Sequence, residues 1–155
     1  MRMLLGKEPV RIMCQTWNPA WSNFVEAAEG SALITFEGGA VVTYSGSWVS
    51  PTPQTNWAGE WQIECERGEI IATSRGDKPE YVAVRPLGKR LQRIKLAEVP
   101  LTDRSGTLDA FVKAVHTGEE PETSGRNNLN TLALMLASVE AASTGKPIDI
   151  ASIGK

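Results

Sequence analysis

The sequence has little of what many catalytic and binding chemistries require. Histidine occurs once, at His116. Cysteine occurs twice, at Cys14 and Cys65, and neither sits in a Cys-x-x-Cys pair or a Cys/His cluster. That spacing excludes a disulfide framework and gives no metal constellation. Both thiols read as buried groups in a reducing cytoplasm. No apolar run approaches the ~18 residues of a membrane helix, and "MRMLLG" is too short for the apolar core of a signal peptide. No glycine-rich turn of the Gly-x-Gly-x-x-Gly kind follows a strand, so the dinucleotide fingerprint is missing. Cations are not in excess. Net charge is −2 and pI about 5.5, which predicts no nucleic-acid footprint. The densest basic stretch, "GKRLQRIK" from Gly88 to Lys95, alternates as the wet face of a strand does.

What is present is enough for a packed protein. A chain of 155 residues suits one domain with a real core. There are no repeats. The first two-thirds read as strands and the last third as helices, a segregation that predicts an α+β fold with helices on one face of an antiparallel sheet. "PVRIMCQTW" alternates, with Val10, Ile12 and Cys14 on one face. "SALITFEGGAVVTYSGSW" is the clearest hairpin, because Gly38-Gly39 can take the positive φ angles of a tight turn. "WAGEWQIECERGEI" places Trp57, Trp61, Ile63 and Cys65 on one side and Glu60, Gln62 and Glu64 on the other. "GEIIATS", "EYVAVRPL" and "RLQRIKLAEV" read as shorter strands.

The period then changes. Leu108, Phe111, Val112 and Val115 recur at i, i+3, i+4 and i+7, a helical stripe stopped by Gly118. A second helix is predicted from about Asn127 to Ser143, capped by Thr123 or Ser124 and ended by Gly145 and Pro147. It is apolar nearly all round, which predicts burial on more than one side. "PIDI" adds a last short strand. At the other end, "MRMLLGKEP" reads as the last turn of a helix closed by Gly6. Such a turn is too short to nucleate, so the rest of that helix, and what precedes it, are expected to be missing.

"LLGKEPVRI", "ITFEGGAVVTYSGSW", "WAGEWQIECERGEI" and "FVKAVHTGEEPETSGRNNLNTLALMLASVEAASTGKPIDI" together resemble successive blocks of the C-terminal domain of the Gfo/Idh/MocA oxidoreductases. The last block is the most specific. The resemblance covers essentially the whole chain. It implies an open, mostly antiparallel β-sheet with helices on one face, of the glyceraldehyde-3-phosphate-dehydrogenase C-terminal-like kind. Residues 1–155 would form the substrate-binding and oligomerisation domain, with residues 1–6 as a remnant of the interdomain junction helix. The partners implied are the chain's own N-terminal Rossmann domain, a second copy (as dimer or tetramer) through the sheet face, and a small sugar or polyol. NAD or NADP would be held by the Rossmann domain, as would the catalytic lysine of a Glu-Lys-Pro motif. A histidine motif would lie just before Met1. None of these is in the chain, which is therefore expected to be inert alone, with no cofactor site, no catalytic residue and no metal of its own. "DKPE", Asp77 to Glu80, resembles the lysine motif only superficially and reads as a turn.

Substrate contacts are expected from Trp17, Asn18, Trp48, Thr55, Asn56 and Trp57. Aromatic faces beside amides and hydroxyls suit a sugar or polyol, since a ring stacks on C–H faces while the polar groups bond hydroxyls. The alternative is that the tryptophans are core or interface residues, which is favoured for Trp61. His116, in the last turn of a helix, reads as a surface or capping residue. "SGRNNLN" can cap a helix or hold an anion with Arg126, but many relatives carry an acid where this chain has Asn127. Glu60, Glu64, Glu66 and Glu69 read as a solvated face. Two other readings remain: a stand-alone binding or oligomerisation module, and half of an NAD-dependent glycosidase of the same family.

Overall fold

The computed structural model describes residues 1–76 and 80–152. The chain packs as two compact units, Met1–Val49 with Leu101–Lys155, and Ser50–Pro100. Where the sequence pointed to one open sheet, the strands sort into two four-stranded sheets, one in each unit. The α+β class and the antiparallel pairing stand.

In the first unit, strands β1 (Pro9–Trp17), β2 (Glu29–Phe36), β3 (Val41–Ser47) and β8 (Ile148–Asp149) lie in the order β3-β2-β1-β8, all antiparallel. The turn between β2 and β3 is a single 3-10 turn over Glu37–Gly39. Gly38 and Gly39 take φ of 76° and 86° there, a region that side chains resist. Alternation then sets the faces. Ile12, Ile34, Val42 and Ile148 share one row across the sheet. On that face lies helix α3 (Gly125–Thr144), whose inner side is small. Ala137 and Ala141 are fully buried, so the helix backbone can approach the strands closely. Together with Ile12, Ile34, Phe36 and Ile150 they form the core. The opposite face of the sheet mixes Met13, Leu33 and Val41 with Gln15, Ser31, Thr35, Thr43 and Ser45.

One expectation is not met in this unit. The register shifts between Pro9 and Arg11, and Val10 is exposed rather than buried with Ile12. Within the described residues of this unit, α3 is buried on one side only. Leu129, Leu132, Met135, Leu136 and Val139 remain exposed, because the sheet covers only the alanine side. Helix α2 (Asp103–Thr117) has no buried residue, and its stripe of Leu108, Phe111, Val112 and Val115 is likewise exposed. The helix limits follow local chemistry. Ser124 accepts the Asn127 N–H at 3.1 Å and starts α3. Gly118 and Gly145 close α2 and α3 in the left-handed conformation.

The second unit is a meander of β4 (Trp61–Cys65), β5 (Gly68–Thr73), β6 (Tyr81–Pro86) and β7 (Gln92–Ile94). Trp61, Ala72, Val82 and Ile94 form one row, and Ile63, Ile70 and Val84 extend the same face. The other face carries Gln62, Glu64, Glu69, Arg85 and Arg93 beside Ile71 and Ala83. Trp57 falls in a turn before β4 and not on the strand, and Cys65, expected to be buried, is exposed at its end. Cys14 is half-buried, and loss of water around it pushes its thiol pKa up.

Candidate functional site

The expected site residues fall in two places. At one end of the first unit's sheet, Trp17 closes β1 and pairs with Glu29, which pairs in turn with Ser47 at the end of β3. Trp48 follows directly, and its N–H bonds the Ala28 carbonyl at 2.9 Å. Ser47 Oγ donates to Glu29 Oε1 at 2.7 Å and accepts the Val49 N–H. The loop after β1 folds back on itself. Asn18 Nδ2 donates to the Phe24 carbonyl at 2.8 Å, and Ser22 Oγ accepts the Phe24 N–H. Trp21, on that loop, donates its indole N–H to the Val49 carbonyl at 3.2 Å. The structure thus brings Trp17, Asn18 and Trp48 to the same end of the sheet and adds Trp21 from the loop after β1. Asn18 is a loop brace through its amide nitrogen, while its Oδ1 accepts nothing from the described residues.

In the second unit, Thr55 bridges to Arg75. Asn56 makes an Asx turn: its Oδ1 accepts the Ala58 N–H at 2.9 Å, and its Nδ2 donates to Glu80 at 3.1 Å. Its amide is therefore engaged by the fold. Trp57, at the tip of this turn, is 93% exposed. Trp61 is half-buried and donates its N–H to the Ala58 carbonyl at 2.7 Å, the structural role expected of it. Two of the four carboxylates read as solvated are ion-paired, Glu60 with Arg75 at 2.7 Å and Glu69 with Arg85 at 3.0 Å. Asp77, Lys78 and Pro79 of the lysine-like motif lie outside the described residues.

His116 lies in the last turn of α2, where a cation suits the helix dipole. The start of α3 is a shallow hollow of about 280 Å³ lined by Glu120, Glu122, Ser124, Arg126 and Asn127. Arg126 approaches Glu120 at 3.7 Å, and Ser124 Oγ also donates to Glu120. Its charges face one another. Among the described residues no group of three or more His, Cys, Asp or Glu is placed to hold a metal.

One cluster was not foreseen. Arg2, in α1 (Arg2–Leu5), grips Glu8 through two bonds of 2.6 and 2.7 Å. It also donates to the Asn127 carbonyl, Asn127 Oδ1 and Thr131 Oγ1, at 2.8–2.9 Å. The first residues are thereby tied to the first turns of α3. These partners are more than a hundred residues apart in the chain, so no local pattern could have announced them.

No family model matches the chain. A curated relative, the uncharacterized protein y4oX of Sinorhizobium fredii, is 25% identical over 97% of this chain and 43% of its own length. Among solved structures, a putative NADPH-dependent oxidoreductase from Desulfitobacterium hafniense superposes with a TM-score of 0.83 at 17% identity, over 99% of this chain and 45% of that one. Aldose-aldose oxidoreductase from Caulobacter crescentus, complexed with glycerol, gives 0.79 at 20% identity over 96% and 43%. An oxidoreductase from Agrobacterium radiobacter, in complex with NAD+, L-tartaric acid and magnesium, gives 0.79 at 19% over 98% and 46%. The chain shares its fold with part of each of these oxidoreductases.

The chain spans less than half the length of these relatives. No helix among the described residues is long and apolar enough to cross a membrane. In this fold the Arg2 clamp joins the short first helix to the last long one. The Arg2 guanidinium, through its hydrogen bonds first, holds the Glu8 carboxyl below its ordinary pKa. A carboxylate depressed in the folded state adds stability that is complete above its unfolded pKa and is lost as pH falls through the folded value. The denaturant midpoint of the wild type should therefore fall from about pH 5 downward. Glu8→Gln should show a shallower loss over the same range. Identical pH profiles for the two proteins would mean that Glu8 adds nothing to this dependence.

Proposed function

We propose that this chain is the substrate-binding and subunit-assembly half of an NAD(P)-dependent oxidoreductase of the Gfo/Idh/MocA family, acting on a sugar, inositol or related polyol. The observation that carries the reading is the match of nearly the whole chain to less than half of each oxidoreductase. In such an enzyme the nicotinamide, held by the other half, exchanges a hydride with a carbinol carbon. The work left to this chain is to bind and orient. Trp17 and Trp48 in the first unit, and Trp57 in the second, offer ring faces to C–H groups. Asn18, Thr55 and Asn56 serve mainly by fixing the loops that present those rings. The exposed apolar faces of α2 and α3, and the apolar face of the second sheet, suit a protein that assembles with its Rossmann half and with a second copy.

The test is a titration of the purified chain, followed by tryptophan fluorescence, with a panel of aldoses and polyols. Saturable quenching by at least one is the expected result. A flat response to the whole panel, from a folded chain, would remove substrate binding from its role.

A further inference from the structure

Strand β3 (Val41–Ser47) ends the first unit's sheet, and among the described residues no strand pairs on its outer side. The hydrogen bonds at its two ends fix which backbone groups face that side. The Phe36 N–H bonds the Ala40 carbonyl, and the Trp48 N–H bonds the Ala28 carbonyl. Even-numbered positions therefore turn their backbone groups toward β2. In an antiparallel ladder the direction alternates from residue to residue. The N–H and C=O groups of Val41, Thr43, Ser45 and Ser47 thus point outward, and all four residues are exposed.

Nothing in the strand blunts this edge. Edge strands are commonly protected by charges, proline or a bulge. Val41–Ser47 has no charged residue and no proline, and its pairing with β2 is regular throughout. The one charge on β2, Glu29, stands opposite Ser47 and accepts its hydroxyl. Helix α3 packs chiefly on β1 and β8, and Tyr44, on the same face of β3, stays exposed. The edge is also self-complementary. One antiparallel register of β3 with a second β3 pairs every outward group: Val41 meets Ser47, Thr43 meets Ser45, and Tyr44 lies opposite its own copy on the two-fold axis. Each Tyr44 ring lies along its own strand, where a Cβ at Gly46 would stand 2.6 Å from the hydroxyl. The two rings would point away from the axis in opposite directions, so neither blocks the approach.

We propose that β3 is a subunit contact: two copies of this chain pair edge to edge through Val41–Ser47, antiparallel about a two-fold axis at Tyr44, and join their sheets into one. The proposal rests on the subunit-assembly reading above and names the surface. An extended peptide can add to a sheet edge in the same way, but the match of this strand to its own reverse favours a second copy. Edge pairing of one short strand buries less than the ~1,000 Å² of a firm interface, so the dimer is weak and forms with rising concentration.

The test is sedimentation of the chain from micromolar to submillimolar concentration. The wild type should move from 16.8 kDa toward twice that mass as concentration rises. Thr43→Pro removes an outward N–H but no hydrogen bond within the sheet, a place where edge strands tolerate proline. It should weaken dimerisation about tenfold or more with circular dichroism unchanged. A second measurement reads the register. Tyr44→Cys, in a Cys65→Ser background, should form a disulfide-linked dimer on mild oxidation, because opposed residues of a non-hydrogen-bonded pair lie about 4.5 Å apart at Cα. Val41→Cys in the same background should not, since the two copies of residue 41 would lie about 20 Å apart. The proposal is overturned if Thr43→Pro dimerises as well as wild type, and the subunit-assembly reading then survives through another face. It is equally overturned if Val41→Cys cross-links as fast as Tyr44→Cys, or if Tyr44→Cys does not cross-link at all. A wild type that is monomeric at every concentration removes both the contact and self-assembly of this chain, and leaves the edge to a foreign strand.

Discussion

Replacing Phe36 by alanine should cost the first unit about 3–5 kcal/mol. Phe36 is 1% exposed and is the largest fully buried side chain. It ends β2, and its N–H closes the hairpin turn on the Ala40 carbonyl at 2.8 Å. Its neighbours are Ile12, Ile34 and the small inner face of α3. Alanines at 137 and 141 cannot reach into the space that the ring leaves, so the cavity would persist. Total stability of a small domain is about 5–15 kcal/mol, and this core is small because much of α3 faces outward and α2 buries no residue fully. Leu33→Ala, on the opposite face of the same strand and 47% exposed, is the matched control and should cost less than about 1 kcal/mol. Chemical denaturation of the two variants decides the matter. A Phe36→Ala protein as stable as Leu33→Ala would show that the core lies elsewhere.

Gly68→Ala should disrupt the second sheet. Gly68 opens β5 with φ of 142°, a backbone state that L side chains rarely adopt. A Cβ there would collide with the Arg85 carbonyl oxygen and stand 2.9 Å from Pro86 Cα, both backbone atoms of the paired strand β6. No rotamer relieves a clash with backbone, so the β5–β6 pairing itself must shift. Strain and overpacking together put the cost at about 2–5 kcal/mol. Gly59 is the comparison. It has φ of 73° but no atom within 4 Å of an added Cβ, so Gly59→Ala should cost only about 1–2 kcal/mol of left-handed strain. Hydrogen exchange of the β5 and β6 amides is the readout. Exchange in Gly68→Ala as slow as in wild type would contradict the pairing of Gly68 with Pro86.

Features encoded locally are legible in the sequence. The Gly38-Gly39 turn, the Ser124 cap and the Gly145 stop each depend on a few consecutive residues, and each appears where the chain predicts. Features that depend on distant partners are not. Alternation places Ile63 and Trp61 on one face of β4, but nothing local says which strand pairs with which, so the pattern suggests one sheet where the fold has two. Trp57 looks like part of the same alternating run, yet the Asx turn at Asn56 ends the alternation there. The cap and stop bound α3 closely, while the extent of its burial depends on which neighbours are present. Of the candidate site, the ring-bearing residues Trp17, Trp48 and Trp57 are visible as tryptophans next to amides. Trp21 is not, because its importance comes from a bond to Val49 across the end of the sheet. The Arg2 clamp is invisible for the same reason.

A substrate half whose cofactor site lies in another domain should not bind a dinucleotide by itself. Calorimetric titration of the chain with NADH and with NADPH measures this directly. Neither should give saturable heat, while a sugar or polyol still quenches tryptophan fluorescence in the same preparation. Saturable binding of either dinucleotide at micromolar concentrations would contradict the proposed division of labour, since the cofactor site would then lie within these 155 residues.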